Sequence, residues 1–393
     1  MRETDKFNRA LHKFLEDNPD LDFEEAKRDF IEIYNNGEYK VEDEYEQADE
    51  LYQKALDTDD LNMAKDYIME AIKICPFHFD SKCELLNIEN ADVSLYEDLL
   101  EEIEEYLEDE LDIDLDDVEE SLWLINECRP FLRTMHTAML KSKFMGMYDK
   151  AIKFNLELLR LDQDCKLDQE FFLICCYLEA NRVDEAIKYF RSLPDEQNLP
   201  THYIFLKFLA YLDINNIEYS RKLMEMIHYR NPYYFGIIVG IVYLEEEDFE
   251  NLKNVDYFIP GSIEEALMYI DMINVVMEKY SEKISNFING NEVLFDKLFV
   301  PKEKDFIVLM AMHMMQTASI NELVGELRGK SDNAVTQLYS VLSVDNYDNV
   351  ERRIKKLIER GYIEKIDDKQ YSLSFYGFST LSYLNEVFSQ EEE

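Results

Sequence analysis

The 393-residue sequence is poor in the residues that interrupt regular structure, with only 10 glycines and 8 prolines. This scarcity argues against a turn-rich β protein and favours helices, whose interiors exclude both residues. No run of about 18 apolar residues occurs, so no membrane-spanning segment is predicted. The N-terminal sequence MRETDKFNRALHKF lacks the apolar core of a signal peptide, and we therefore expect a cytoplasmic protein.

Sequence motifs of the common catalytic and cofactor sites are also absent. There is no HExxH zinc motif, no GxxxxGKS/T or GxGxxG phosphate loop and no GxSxG nucleophile elbow. The six cysteines form no CxxC pair and the six histidines are scattered, so we expect buried reduced thiols rather than a metal site. We predict no catalytic residue, no cofactor and no enzymatic activity.

Basic side chains are scarce relative to acidic ones: 41 lysines and arginines against 85 aspartates and glutamates give a formal charge of −44. A field of this sign repels nucleic acids and anionic lipid surfaces and favours basic partners. The alternative is that the acidity serves solubility alone. We expect a protein or peptide partner of basic character, and no membrane association.

A small-residue pattern recurs at helical spacing in four segments, which begin at Ala64, Ala151, Ala186 and Ser220. Each places a larger side chain at offset 4 and an apolar one at offset 7, and two add a proline at offset 12. The last three segments begin 35 and 34 residues apart, close to the tetratricopeptide period of about 34. Such helical hairpins bury their apolar faces only by stacking on neighbours. The sequence therefore predicts an all-α, tetratricopeptide-like solenoid of helical hairpins.

The same reasoning divides the chain into four regions. Residues 1–40 are predicted to be N-terminal capping helices, residues 41–285 the repeat array, residues 286–301 a linker and residues 302–390 a winged-helix-like domain. Within the array, residues 92–122 form an acidic insertion, predicted to be a helix with a solvated face.

Aspartates at every second position, Asp112, Asp114 and Asp116, resemble the beginning of a calcium loop. That loop needs glycine at its sixth position and glutamate at its twelfth. Here Asp117 and Trp123 occupy those positions, so no calcium site is predicted.

The sequence pattern changes after Pro301, from helical hairpins to a mixture of helices and strands. The predicted elements are a helix over 304–316, a Ser319-capped helix to Leu327, a basic helix over 347–360, strands over 362–366 and 370–374, and a helix over 376–388. Gly361 is expected to be a left-handed helix cap. The segment RRIKKLIERGYIEKIDDKQYSLSFYG resembles winged-helix modules, which implies a two-stranded wing.

In DNA-binding winged helices, the helix before the wing enters the major groove. The resemblance gives five possible phosphate contacts: Arg352, Arg353, Lys355, Lys356 and Arg360. Residues 346–370 nevertheless hold seven basic and six acidic residues, and each phosphate contact must overcome the acidic field. Winged helices also serve as protein-interaction modules, so nucleic acid remains an option for the C-terminal domain only.

Several longer strings are similar to bacterial tetratricopeptide repeat proteins related to the suppressor-of-tumorigenicity family. They are AIKICP from Ala71, ECRPFLR from Glu127, DEAI from Asp184, Asn231-Pro232 and PGSIEEA from Pro260. The resemblance covers about residues 5–275. It implies a binding protein without catalytic activity. Some members carry a C-terminal cysteine-rich metal motif, whereas this chain has the winged-helix-like region in that place.

Two groups of residues are candidates for partner binding. The first comprises Trp123, Glu127, Arg129 and Arg133, in which the arginines are rare positive groups able to grip a partner carboxylate. The second is the aromatic pair Tyr229 and Tyr233. The structural alternative is that Trp123 packs a helix junction, the arginines form internal ion pairs and the tyrosines belong to the core.

The leading hypothesis is a non-enzymatic scaffold that binds a protein or peptide partner on the repeat array. The alternative is a transcription regulator whose repeats sense a partner and whose winged helix holds DNA. A third, more remote hypothesis resembles proteasome-lid-type subunits, in which helical repeats lead into an assembly-forming winged helix. Homo-oligomerisation stays open under all three.

Overall fold

The computed structural model describes residues 7, 10, 11, 13–15, 17–19, 21–36, 43–116, 118, 120–164, 167–245, 249, 251, 252, 257–327 and 347–390. The chain is mostly helical, with consecutive helices packed in pairs and a small three-stranded antiparallel sheet near the C-terminus. It divides into two compact units, residues 1–180 and residues 181–393. No helix among the described residues is long and apolar enough to cross a membrane.

The first unit contains eight helices with defined bounds. They are α1 (Phe23–Asn35), α2 (Glu44–Leu56), α3 (Leu61–Ile74), α4 (Phe79–Ile88), α5 (Val93–Leu111), α6 (Arg129–Phe144), α7 (Tyr148–Leu161) and α8 (Gln169–Glu179). Two 3-10 turns, Leu122–Leu124 and Asn126–Cys128, precede α6. Helical residues between 7 and 17 pack Phe14 against Phe30 of α1, as expected for the first two predicted helices.

Consecutive helices in this unit pack through small side chains. Ala48 of α2 and Ala71 of α3 are fully buried in one cluster. Ala151 and Leu158 of α7 are likewise fully buried. Small residues allow two helix backbones to approach closely while larger neighbours fill the gap. The pattern that begins at Ala64 and Ala151 therefore marks a buried face, as predicted.

The helix pairs are closed by residues with positive φ. Gly146 (φ +71°) and Asn90 (φ +51°) occupy such positions in the first unit, and Asn215 (φ +56°) does so in the second. The backbone N–H of the residue that follows each of them donates to the carbonyl five residues back, as from Met147 to Ser142 (2.8 Å). This is the helix-end geometry that glycine and asparagine favour.

The acidic insertion is a helix, as predicted. Helix α5 buries Leu99, Ile103 and Leu107 on one side and exposes most of its carboxylates on the other. It ends at Asp112, which is left-handed (φ +56°). Asp117 lies outside the described residues.

The second unit contains the remaining helices with defined bounds. They are α9 (Val183–Phe190), α10 (Thr201–Asp213), α11 (Ile217–Arg230), α12 (Tyr233–Ile238), α13 (Ile263–Met272), α14 (Asn274–Asn289), α15 (Glu292–Phe299), α16 (Glu303–Met315), α17 (Ile320–Leu327), α18 (Tyr347–Glu359) and α19 (Phe375–Gln390). The segment 286–301, predicted to be a linker, holds the end of α14 and all of α15. Sequence analysis missed α15 because Asn289-Gly290-Asn291 interrupts the helical pattern just before it.

The sheet has three strands rather than the predicted two. They are β1 (Thr317–Ala318), β2 (Ile363–Lys365) and β3 (Tyr371–Leu373), in the order β1-β3-β2. Ile363 pairs with Leu373, and Ala318 pairs with Tyr371. The extra strand has only two residues between the end of α16 and the Ser319 cap of α17, so no alternation could reveal it. The β2–β3 hairpin and the left-handed Gly361 (φ +76°) confirm the corresponding predictions.

The C-terminal helices and sheet dock on the earlier helices of the second unit. The Tyr362 hydroxyl donates a hydrogen bond to the Phe299 carbonyl (2.8 Å). A Cβ at Gly361 would lie 2.9 Å from Cγ of Pro232, and a Cβ at Gly377 would lie 2.0 Å from the Tyr362 carbonyl oxygen. Glycine at these two positions therefore allows a close backbone approach.

Replacement of Gly377 by alanine tests this packing. G377A should lower the thermal unfolding midpoint by several degrees, because the new methyl group meets a backbone oxygen that cannot move aside. G325A is the matched control, since a Cβ at Gly325 meets nothing within 4 Å and alanine suits a helix. Equal midpoints for the two variants by circular dichroism would contradict the close approach of Gly377 to the Tyr362 carbonyl.

Burial disfavours the protonated form of three histidines. Burial lowers the pKa of His136 to about 4 and that of His202 to about 3. Burial, with a smaller contribution from Arg360, lowers the pKa of His228 to about 3. His202 stacks on Tyr269 with ring centroids 3.6 Å apart. Between these values and the unfolded pKa near 6.5, only the unfolded state takes up the protons.

The folded state should therefore lose stability as the pH falls below about 6.5. Each such histidine contributes about 1.4 kcal/mol for each pH unit between its two pKa values. H202Q should flatten the dependence of the unfolding free energy on pH between 6.5 and 4, whatever its effect at pH 7. Exposed His313 provides the control: H313Q should keep the original slope in urea unfolding, and an unchanged slope in H202Q would contradict the prediction.

Candidate functional site

A cavity of about 220 Å³ in the first unit gathers four aromatic rings and three carboxylates. Its lining residues are Tyr45, Asp49, Phe77, Phe79, Asp80, Tyr106, Asn126, Glu127, Pro130 and Arg133. They come from α2, the turn before α4, α4 itself, α5, the second 3-10 turn and the start of α6. With one guanidinium against three carboxylates, the lining carries a net charge of −2.

The aromatic wall is set by a proline. Cys75, before Pro76, has an extended backbone (φ −126°, ψ 97°), as residues before proline prefer. Helix α3 therefore stops, and Phe77 lies in the turn with half of its surface exposed. The ring of Phe77 stacks on Tyr106 at 4.7 Å, and Phe79 meets Tyr106 edge-on at 5.3 Å. Burial raises the pKa of the Tyr106 hydroxyl, so it stays protonated at neutral pH.

The buried His78 supports the wall formed by α2. Its Nδ1 accepts a hydrogen bond from the backbone N–H of Ser81 (3.3 Å) and thereby caps α4. Its Nε2 lies 3.6 Å from Oδ1 of Asp49. The imidazole packs against Tyr45 and Tyr52 with centroid distances of 4.7 and 5.5 Å. His78 thus links the start of α4 to a carboxylate of the cavity.

Arg133 and Asp80, both in the cavity lining, form an ion pair with two hydrogen bonds. Nε of Arg133 donates to Oδ1 of Asp80 (2.9 Å), and Nη2 donates to Oδ2 (2.7 Å). Both side chains are largely buried, with 20% and 11% of their surface exposed. The pair joins α6 to α4 and neutralises one of the three carboxylates. Asp49 and Glu127 supply the remaining negative charge.

The residues of the first predicted partner-binding group differ in their access to the cavity. Glu127 and Arg133 reach the cavity, whereas Trp123 and Arg129 are buried nearby. Nε of Arg129 donates to the Trp123 carbonyl (2.7 Å), and its guanidinium lies 5.6 Å from the indole ring. Arg129 is thus inaccessible to a partner, and the two-bond face of Arg133 is occupied by Asp80.

The second predicted group lies in the second unit. Tyr229 is exposed, with 57% of its surface accessible. The Tyr233 hydroxyl accepts a hydrogen bond from the backbone N–H of Tyr376 (3.2 Å), so Tyr233 has a structural contact. Tyr234 and Phe235, which follow it, are fully buried.

The five predicted phosphate contacts differ in accessibility. Arg353 pairs with Asp305 (2.5 Å), and Arg360 donates to the Leu298 carbonyl (2.8 Å). The other three are exposed on α18: Arg352, Lys355 and Lys356. Of these, Lys355 pairs with Glu351 and Arg352 donates to Asn349. The exposed part of α18 and its hairpin also carries acidic residues in comparable number.

Sequence reasoning missed most of the cavity wall. Tyr45 and Asp49 share a face of α2 because they are four residues apart, and that spacing was a usable signal. Phe77 and Tyr106 gave none, since each fits an ordinary apolar pattern. Their meeting depends on how α5 packs against the turn after α3.

No protein-family model and no curated protein matches the chain. The resemblance to tetratricopeptide proteins of the suppressor-of-tumorigenicity group therefore stays a prediction. Among the residues that the structure describes, no group of three or more histidine, cysteine, aspartate and glutamate side chains is placed to hold a metal ion.

Replacement of Arg133 by lysine tests the ion pair with Asp80 in the cavity lining. R133K keeps the charge but loses the two-bond geometry, and we expect a loss of about 1–2 kcal/mol of unfolding free energy. Arg28 provides a control in the same unit, because its pair with Asp29 is long (3.8 Å) and exposed; such pairs contribute little. If R28K and R133K unfolded alike in urea, the pair would not support the cavity.

Proposed function

We propose that this chain is a non-enzymatic interaction scaffold that binds a basic protein or peptide segment. The observation that carries the proposal is the cavity in the first unit, whose aromatic and acidic walls suit a cationic ligand. Three carboxylates against one guanidinium give its lining a net charge of −2. A pocket with this lining would repel an anionic substrate.

In this proposal the paired helices form a tetratricopeptide-like array, followed by a winged-helix-like module. Support comes from the close pairs α2–α3, α6–α7 and α10–α11, in which the recurrent small residues are buried. The order of helices α16 to α19 around a β-hairpin supports the second part.

The net charge of −44 supports the choice of a basic partner. The exposed face of α5 extends the negative field beyond the cavity, because its carboxylates point to solvent along much of the helix. Complementary charge speeds encounter and suppresses wrong partners more than it adds affinity. The cavity would then supply the short-range contacts.

The transcription-regulator alternative has weaker support. It needs basic groups that reach phosphates, and Arg353 and Arg360 are engaged by Asp305 and by backbone carbonyls. The exposed cations of α18 stand among carboxylates. We therefore keep this alternative as an outcome of the binding experiments.

An array of immobilised 15-residue peptides tests the proposal directly. The full-length protein should bind a limited set of basic sequences at 150 mM salt, and scrambled peptides of equal charge should bind at least five-fold more weakly. Fluorescence anisotropy with the best sequences in solution should give saturable, one-site curves.

Acidic and neutral peptides serve as internal controls, and a mixed-sequence 30-bp duplex tests the alternative. Binding that follows peptide charge alone and disappears at 150 mM salt would contradict the scaffold. Tight duplex binding without peptide binding would favour the regulator.

A further inference from the structure

The second unit holds one of its own ammonium groups between aromatic rings and a carboxylate. Nζ of Lys207 lies 5.8 Å from the ring centroid of Phe190 and 5.9 Å from that of Tyr219, and it pairs with Glu196. Only 9% of the Lys207 side chain is exposed. Hydrogen bonds from Lys207 and Tyr219 lower the pKa of Glu196 to about 2. This chain therefore accommodates a lysine ammonium group between two aromatic rings and beside a carboxylate.

The cavity of the first unit offers the same components without a lysine among its described lining residues. Phe77 and Tyr106 contribute stacked rings to its lining, and Tyr45 adds a third ring. Asp49 and Glu127 supply the carboxylates. In both places the attraction would come from ring faces and from opposite charge, which act together when water is partly excluded.

We propose that this cavity is the anchor site for a single lysine side chain of the basic partner. The inference rests on the proposed function and deepens it by naming the group that enters. The aliphatic stem of the lysine lies along the rings of Phe77 and Tyr106, and the ammonium reaches Asp49 and Glu127.

An ammonium suits the cavity better than a guanidinium does. Arginine is favoured where one carboxylate accepts two parallel hydrogen bonds, and Asp80 already makes that arrangement with Arg133. The other two carboxylates belong to separate elements, α2 and the 3-10 turn before α6. A compact charge with rotatable donors can approach both of them.

The first test changes the peptide and leaves the protein intact. In the best basic peptide, each lysine is replaced in turn by norleucine, which keeps the stem and removes the charge. One position should lose at least ten-fold in affinity by anisotropy at 150 mM salt, while the others lose less than three-fold. Arginine at that position should restore only part of the affinity.

The second test changes the cavity. D49N/E127Q should weaken the same peptide at least ten-fold, and F77L at least five-fold. The matched controls are E105Q/E108Q, which removes the same charge from the exposed face of α5, and F144L, which alters an exposed phenylalanine elsewhere in the unit. Both controls should stay within two-fold of the unmodified protein.

The outcomes separate the anchor from the function. If basic peptides bind but no single lysine dominates, or if the cavity variants bind as the controls do, the anchor is elsewhere and the scaffold stands. If no basic peptide binds the unmodified protein, the proposed function fails and the anchor with it. The thermal unfolding of each variant is measured to show that a loss of affinity does not come from a loss of folding. The peptide series uses the unmodified protein and therefore needs no such control.

Discussion

Close packing of consecutive helices at small side chains is the constraint on which the rest of the structure depends. Ala48, Ala71 and Ala151 are fully buried, and a larger residue at any of them would push two helix axes apart. The helices can come this near only if the chain reverses tightly between them. Left-handed residues such as Gly146 and proline-terminated ends such as Cys75-Pro76 provide those reversals. The cavity is a by-product of the same arrangement, because it lies where such reversals expose side chains beside packed helices.

Residues that stabilise the fold also line or support the cavity. Arg133 and Asp80 hold α6 against α4, and the pair also places one positive charge among the three carboxylates of the cavity. His78 caps α4, packs between tyrosines and faces Asp49. A ligand that entered would meet groups already oriented by the fold, so little ordering would be needed on binding.

Helical periodicity and chain breaks were readable in the sequence, whereas contacts between distant segments were not. The buried face of α3, the acidic helix α5, the left-handed Gly361 and the hairpin over 363–373 all follow local rules of spacing and turn chemistry. Strand β1 was not predicted, because two residues are too few to show the alternation of a strand. The cavity was not predicted, because Tyr45 and Tyr106 lie far apart in the sequence and meet only after several helices have packed. Counting basic residues on α18 likewise could not tell which of them have partners within the protein.

The contact between Tyr362 and Phe299 and the seat of Gly361 on Pro232 have a mechanical consequence. A rotation within the segment 286–301 would separate Gly361 from Pro232. A rotation between Phe299 and the C-terminal helices would also break the buried hydrogen bond of Tyr362. The C-terminal helices and sheet thus present their outer surface in a fixed direction relative to the helices beneath them.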